Sequence, residues 1–390
     1  MKQRLTLWQQ RLFPGVPPPA AGVYSFRPNE PRELALPMRL RIDPGGHGVL
    51  TIASRRFFLL PPLPADIVLA WGRSGSPESA VEVLAQRYSL PLGEMRALVE
   101  ELLRELQGGM AARAAPAAIN LGGELPTGEP LSPYQLQCAL TYHILAEHAQ
   151  DIAPQQRVRR ELITREWAHI LEIASAAGIP HILFTGGEPT LRPDLPELVS
   201  KASDLGMVCT LVTDGLRLTE RDYWHQLLAA GLAHLIVLFD PEEEQSWEAL
   251  RDALVEQVHV TVHLDVASRD NTQARAVFAR LRAMGVDELA LSATDPGDQQ
   301  GLAAWETELQ AEGFSMAPAF PLPYSTHHPV GASGEPLPHL LAGAARCWLY
   351  VEPDGDVLPD QAIQQDLGNP LNEPWDSIWQ RALAFNRQNA

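Results

Sequence analysis

The sequence predicts an α/β protein in three parts: six βα units forming a parallel sheet, preceded by a winged-helix-like α+β module and followed by a small α+β extension. Three observations carry this. From Tyr134 onward, short apolar runs alternate with longer amphipathic stretches, the grammar of βαβ units. Ahead of them, short strand patterns come first and helical patterns after. Between the two grammars lies a connector rich in Gly, Ala and Pro, Gly108 to Pro133, with no sustained apolar period.

The expected segments are a tail (1–23), a first domain (24–108), a linker (109–133), the βα units (134–300) and the extension (301–390). In the first domain, Met38 to Ile42 alternates apolar and basic residues, Gly45-Gly46 supplies a turn, and Val49 to Ile52 and Phe57 to Leu60 read as further strands. Helices follow at Pro64 to Trp71, Pro77 to Tyr88 and Leu92 to Leu106, the last with Met95, Leu98, Leu102, Leu103 and Leu106 on one face. The six later strands are Tyr134 to Thr141, His181 to Thr185, Val208 to Thr213, Leu235 to Phe239, His259 to Val266 and Glu288 to Ser292. Helices intervene at Arg165 to Ala177, Leu195 to Leu205, Glu220 to Ala230, Ser246 to Val255 and Thr272 to Met284, with Thr164 and Asn271 as N-caps. In such folds ligands gather at the C-terminal strand ends. After Asp295 the period fades, and Pro318 to Pro338 is too proline-rich for regular structure. Cys347 to Val351, a Pro353-Asp354-Gly355-Asp356 turn and Val357-Leu358 then predict a hairpin, and Glu373 to Ala384 a closing helix.

A net charge of −18 opposes attraction to nucleic-acid phosphates or anionic lipid, which excludes those as main ligands. No stretch reaches the ~18 uninterrupted apolar residues of a membrane span, and Met1 to Pro14 lacks a signal-peptide core, so a cytoplasmic location is expected. The cysteines are Cys138, Cys209 and Cys347, without C-x-x-C spacing. Cys138 and Cys209 fall inside strands as packing residues.

The segment Ile182-Leu-Phe-Thr-Gly-Gly-Glu-Pro-Thr-Leu-Arg192 resembles the second strand and loop of radical S-adenosylmethionine enzymes of the peptide-modifying branch. Thr213-Asp214-Gly215 resembles the third-strand Thr-Asn-Gly signature, and Asp240 ends strand four where the family often has Ser-x-Asp. Val266 to Asn271 and the helix after it resemble the fifth unit, whose loop helps hold the cofactor. Residues 24–108 resemble the PqqD-like peptide-recognition domain, and Cys347 to Asp360 with Leu367-Gly368-Asn369 and Trp379 the SPASM/twitch-like extension. The resemblance implies a partial (β/α)6 TIM-like barrel. It also implies a cofactor pocket at Gly186, Gly187, Glu188, Pro189, Thr213, Asp240 and Asn271, and capture of a leader peptide by strand addition to 24–108.

Active members hold a four-iron four-sulfur cluster through C-x3-C-x2-C after strand one. Here Ile144, His148 and Asp151 stand at those positions, and isoleucine cannot ligate iron. In the auxiliary site Cys347 matches a ligand while Asp360 replaces the next thiol. Asp214 replaces the usual asparagine, and Leu238 stands at the common serine position. His143, Glu147 and His148 would share parts of a helical face, but a solvated or packed helix accounts for them without a metal. His259/His263 read as a satisfied interior pair, and His327-His328 as loop residues. The expectation is therefore a degenerate member without a cluster that binds a precursor peptide or an active maturase partner. The alternative is a peptide-modifying enzyme that binds S-adenosylmethionine and uses nonradical chemistry or an unusual metal site.

Overall fold

The computed structural model describes residues 16–111, 118–120, 128–144, 158–266, 271–292, 299–317, 343–361 and 363–389, with only the backbone at 118–120, 271 and 299–300. Among these, the strands form two sheets. The first runs in chain order: β1 (Gly22–Phe26), β2 (Met38–Ile42), β3 (Gly48–Ile52), β4 (Arg56–Leu60) and β5 (Ala118–Asn120). The first four pair antiparallel, and β5, from the linker, joins β4 in parallel. Three helices, α1 (Pro62–Ser74), α2 (Pro77–Tyr88) and α3 (Leu92–Ala111), cover one face. Met38, Leu40, Ile42, Leu50, Ile52, Phe58 and Leu60 form a core with them, as the strand alternation requires. Strands β1 and β5 were not expected; both are short and border proline-rich connectors that mask their period.

The second sheet contains β6 (Gln135–Thr141), β7 (His181–Gly186), β8 (Val208–Thr213), β9 (Leu232–Leu238), β10 (His259–Asp265), β11 (Glu288–Ser292), β12 (Ser315–Met316), β13 (Trp348–Val351) and β14 (Val357–Leu358). Between consecutive strands from β6 to β12 lie α4 (Thr164–Ala176), α5 (Leu195–Asp204), α6 (Arg221–Ala229), α7 (Glu244–Leu254), α8 (Asn271–Ala283) and α9 (Gln299–Ala311); α10 (Trp375–Asn389) closes the chain. The spatial order is β12-β11-β10-β9-β8-β7-β6-β13-β14, parallel except for the β13–β14 hairpin. This is an α/β fold with an open parallel sheet, the architecture of a partial barrel. The extension contributes β13 directly beside β6, and Ile378, Trp379, Ala382 and Leu383 of α10 enter the same core as the βα helices. Asp360 accepts the Trp348 indole N–H at 2.8 Å.

Thr164 is the first helical residue rather than the N-cap. Ile163 precedes it, with its amide donating to Glu166 Oε2 (3.0 Å), while the Thr164 hydroxyl donates to Asp194 Oδ2 (2.7 Å). Asn271 likewise opens α8 as a helical residue. Beyond Asp295 the structure has α9, whose Leu302, Trp305 and Leu309 pack on the core.

The reverse face of the first sheet docks on the N-terminal ends of the barrel strands, where Val49 and Phe57 pack with Tyr134 and Val208. Arg39 and Arg41, the basic half of the β2 alternation, point into this seam. Arg39 donates through Nη1 to Ser175 Oγ (2.5 Å) and the Leu205 carbonyl (3.0 Å), and through Nη2 to the Ser175 carbonyl. These acceptors sit at the ends of α4 and α5, where helix dipoles favour a cation. Arg41, buried, donates to Ser132 Oγ (2.7 Å), the Pro133 carbonyl (2.9 Å) and the Gly178 carbonyl (3.3 Å), and ion-pairs with Asp43 at 3.1 Å.

Candidate functional site

At the C-terminal end of β7 the chain turns through Gly186 and Gly187 against the backbone that leaves β6. A Cβ on Gly186 would meet the Thr141 carbonyl oxygen at 2.1 Å, and one on Gly187 the His143 carbonyl oxygen at 2.3 Å. No side chain fits there. The close approach lets Gly187 N–H donate to Thr141 O and Glu188 N–H to His143 O, both at 2.7 Å. Glu188 is buried and caps the short 3-10 turn Pro189–Leu191. Its Oε1 accepts from Thr190 N (2.9 Å), Thr190 Oγ1 (2.5 Å) and Thr213 Oγ1 (2.8 Å), and its Oε2 from Asp214 N (2.9 Å).

Five of the residues singled out in sequence therefore meet: Gly186, Gly187, Glu188, Pro189 and Thr213. Asp240 lies past β9, where its Oδ1 accepts Glu242 N–H (2.9 Å) and closes a local turn. The Asn271 side chain, His148, Asp151, Glu147, His327 and His328 lie outside the described residues. Ile144 is half-buried, its methyl close to Gly187, and His143 is an exposed loop residue rather than helical, 3.9 Å from Glu161. Sequence reading missed Thr190, and it missed Thr185, whose buried hydroxyl at the end of β7 has no hydrogen-bond partner among the described residues.

Burial, and then the Asp214 carboxyl, raise the Glu188 carboxyl from 4.5 to about 7. The folded chain thus takes up a proton that the unfolded chain releases at lower pH. The stability this gives is whole below about pH 4.5 and is lost as pH rises toward 7. Replacing Asp214 with Asn removes the like charge and keeps an oxygen for Leu216 N–H, which Asp214 Oδ1 accepts at 2.9 Å. Asp214→Asn is expected to flatten the fall, gaining about 1 kcal/mol at pH 8 and little at pH 5. Urea midpoints at the two pH values measure it; equal shifts at both would mean the two carboxyls do not interact.

The donor set does not fit a four-iron cluster. Cys138 and Cys209 are fully buried on the core side of β6 and β8, where burial pushes both thiols up. Cys347 is at the opposite end of the barrel from the glycine loop, its carbonyl accepting Tyr134 N–H at 2.8 Å. No cysteine occurs between Cys138 and Cys209, so the segment between β6 and β7 holds none. For S-adenosylmethionine the loop fits in part. The Gly187 and Glu188 amides are engaged by the backbone leaving β6 and the Glu188 carboxyl by Thr190, Thr213 and Asp214, while Thr185 supplies a buried hydroxyl beside them.

The inner face of the barrel holds a second constellation, nearer the strand starts. Gln137 Nε2 donates to Gln135 Oε1 (2.9 Å), and Gln135 Nε2 to His181 Nδ1 (3.1 Å). Next, His181 Nε2 meets Thr210 Oγ1 (2.6 Å), Thr210 Oγ1 meets His234 Nδ1 (3.3 Å), and His234 Nε2 meets Thr261 Oγ1 (2.8 Å). Glu288 Oε2 ends the chain, accepting from Thr261 Oγ1 (2.5 Å) and His259 Nε2 (2.8 Å). One donor assignment satisfies every link, with His181 and His234 both neutral and protonated on Nε2. Burial lowers His181 to about 3 and His234 well below its ordinary range, in keeping with that. His259 and His263 are both buried and each has its own partner, Glu288 and Ser292 (3.0 Å).

Residues 138–263 match the family described as Radical SAM superfamily. A PqqA peptide cyclase of Streptomyces rochei is 29% identical over 267 residues, 60% of this chain and 71% of that protein. One of Xanthomonas campestris pv. campestris is 27% identical over 265 residues, 59% and 68% of the two chains. Streptococcus suis SuiB bound to precursor peptide SuiA superposes with a TM-score of 0.57 over 91% of this chain and 88% of that one, at 13% identity, a likeness of fold. The glycine loop closing β7 thus lies in the stretch that matches the Radical SAM superfamily, within a chain similar to PqqA peptide cyclases and folded like SuiB.

Proposed function

We propose that this chain acts in the maturation of a ribosomally made peptide, binding the precursor peptide, or an active partner enzyme, without generating a radical itself. The observation that carries the reading is the thiol inventory: two cysteines locked in the core, a third at the strand starts, and none in the segment between β6 and β7. Three thiolates at the barrel mouth are what seat the iron of an active member. The curated relatives are named as cyclases of the peptide PqqA, and the structural neighbour carries the peptide SuiA, which supports a peptide as the ligand. The first domain would take it as a PqqD-like element. Both of its sheet faces are covered, and its β4 edge is occupied by β5, whereas β1 has no strand beyond it among the described residues. An extended leader would add there. The last segment would be a SPASM/twitch-like extension that has kept its hairpin and lost its ligands.

Anaerobic reconstitution of the full chain with iron and sulfide is expected to give no brown absorbance and no stoichiometric iron; a full cluster would overturn the radical-free role. Small peptides encoded beside the gene, labelled with a fluorophore, are expected to bind the full chain with micromolar Kd. If none binds, the maturation role falls. A second reading, an enzyme that binds S-adenosylmethionine for nonradical chemistry, is favoured by the surviving glycine loop and the Thr185 hydroxyl. Calorimetric titration with S-adenosylmethionine divides the two, since uptake of one equivalent belongs to the second alone.

A further inference from the structure

We propose that His234, His259 and Glu288 form a binding site for one zinc-type divalent cation on the inner face of the barrel, remote from the glycine loop and independent of the peptide-maturation role. The three residues come from neighbouring strands. His234 lies opposite His259 across β9 and β10, Thr261 opposite Glu288 across β10 and β11, and His259 and Thr261 are two apart on the same face. This register brings two imidazoles and a carboxylate together. One ligand atom from each lies within 4.8 Å of the others, and the residues are 6%, 7% and 6% exposed.

Two imidazole nitrogens with one carboxylate oxygen is the donor set of open zinc centres, which leave a fourth position for water or another ligand. Imidazole disfavours magnesium and calcium, which take oxygen ligands. Zinc bond lengths of about 2.0–2.1 Å place tetrahedral ligands about 3.3 Å apart. The gap from the present separations is bridged by turning side chains, because the His234 and His259 ring centroids are already 4.7 Å apart.

The surroundings supply orientation and entry. Thr210 Oγ1 faces His234 Nδ1, and Thr261 Oγ1 bonds Glu288, the outer contacts that fix a ligand's tautomer and direction. His259 also forms part of the wall of a cavity of about 750 Å³ between the first domain and the barrel floor, bordered by Ala53, Arg56, Ala233 and Gln257. Loading would exchange protons on His234: Nε2, which now donates to Thr261, would take the metal, and Nδ1 would become the donor to Thr210.

The test uses the full chain stripped with a chelator and titrated with Zn(II) against a chromophoric competitor, with Co(II) as spectroscopic probe. One equivalent is expected with a Kd of about 1 µM or tighter, with the visible bands of tetrahedral Co(II) and a change of His234 tautomer read by nitrogen-15 NMR. Glu288→Gln keeps size and hydrogen bonding, so it should fold; it is expected to weaken binding by more than about 100-fold, beyond the loss of an outer contact. His234→Ala should abolish it, and the double variant His327→Ala, His328→Ala should leave it unchanged. No stoichiometric binding would overturn the site, leaving the layer a closed hydrogen-bond chain. So would an affinity unaltered by Glu288→Gln, or one lost with His327 and His328.

Discussion

Gly186→Ala is expected to destabilise the fold by about 4 kcal/mol, the sum of a strained backbone and an overpacked contact at roughly 1–3 kcal/mol each. Gly186 sits at φ +124°, and the new methyl would meet a backbone oxygen at 2.1 Å rather than a side chain able to turn away. Relief requires moving β7 from β6, which breaks the hydrogen bonds from Gly187 and Glu188 to Thr141 and His143. Gly285 supplies the comparison. Its φ is +88°, but nothing lies within 4 Å of its added Cβ, so Gly285→Ala should cost only about 1 kcal/mol. Urea-unfolding midpoints at unchanged slope measure both. Equal losses would show that the close approach at the loop contributes nothing beyond the torsion.

Arg41→Ala is expected to cost about 3–5 kcal/mol, the range for removing one partner of a buried ion pair. The guanidinium is 2% exposed and serves two acceptors from the chain that joins the two domains and one, Gly178, in the barrel, besides Asp43. Without it Asp43 keeps the Leu131 amide (2.9 Å) and the Tyr134 hydroxyl (3.4 Å) but loses its countercharge. Because the seam is also where the first domain meets the barrel, unfolding should cease to be a single transition. Calorimetry would then resolve two steps, and one unshifted step would refute the role.

The parallel sheet was legible because apolar runs and amphipathic stretches alternate for more than a hundred residues, and Val208–Thr213 and Glu288–Ser292 fall where the pattern puts them. The glycine loop was legible because Gly-Gly-Glu-Pro is a contiguous motif. The role of Glu188 was not. A carboxyl that caps a turn and one that meets a ligand are the same letter, and only the four donors around it distinguish them. Helix α9 went unread because its stripe, Leu302, Trp305 and Leu309, is diluted by alanines and acids. The polar layer was invisible for a different reason: His181, Thr210, His234 and Glu288 lie on separate strands, and parallel pairing alone aligns them. Arg39 and Arg41 stand in the sequence only as the basic half of an alternation; their direction toward helix ends required the second domain.

The bolting of the first sheet to the strand starts has a metric consequence. Strand β7 covers six residues from floor to rim, roughly 17–20 Å at about 3.3 Å per residue. With arginines fixing one end, a chain gripped along β1 would need at least about six extended residues as a spacer before its next side chain reached the Gly186–Gly187 turn. Spacer length would then act as a ruler, selecting which side chain is presented and turning a one-residue deletion into a change of target.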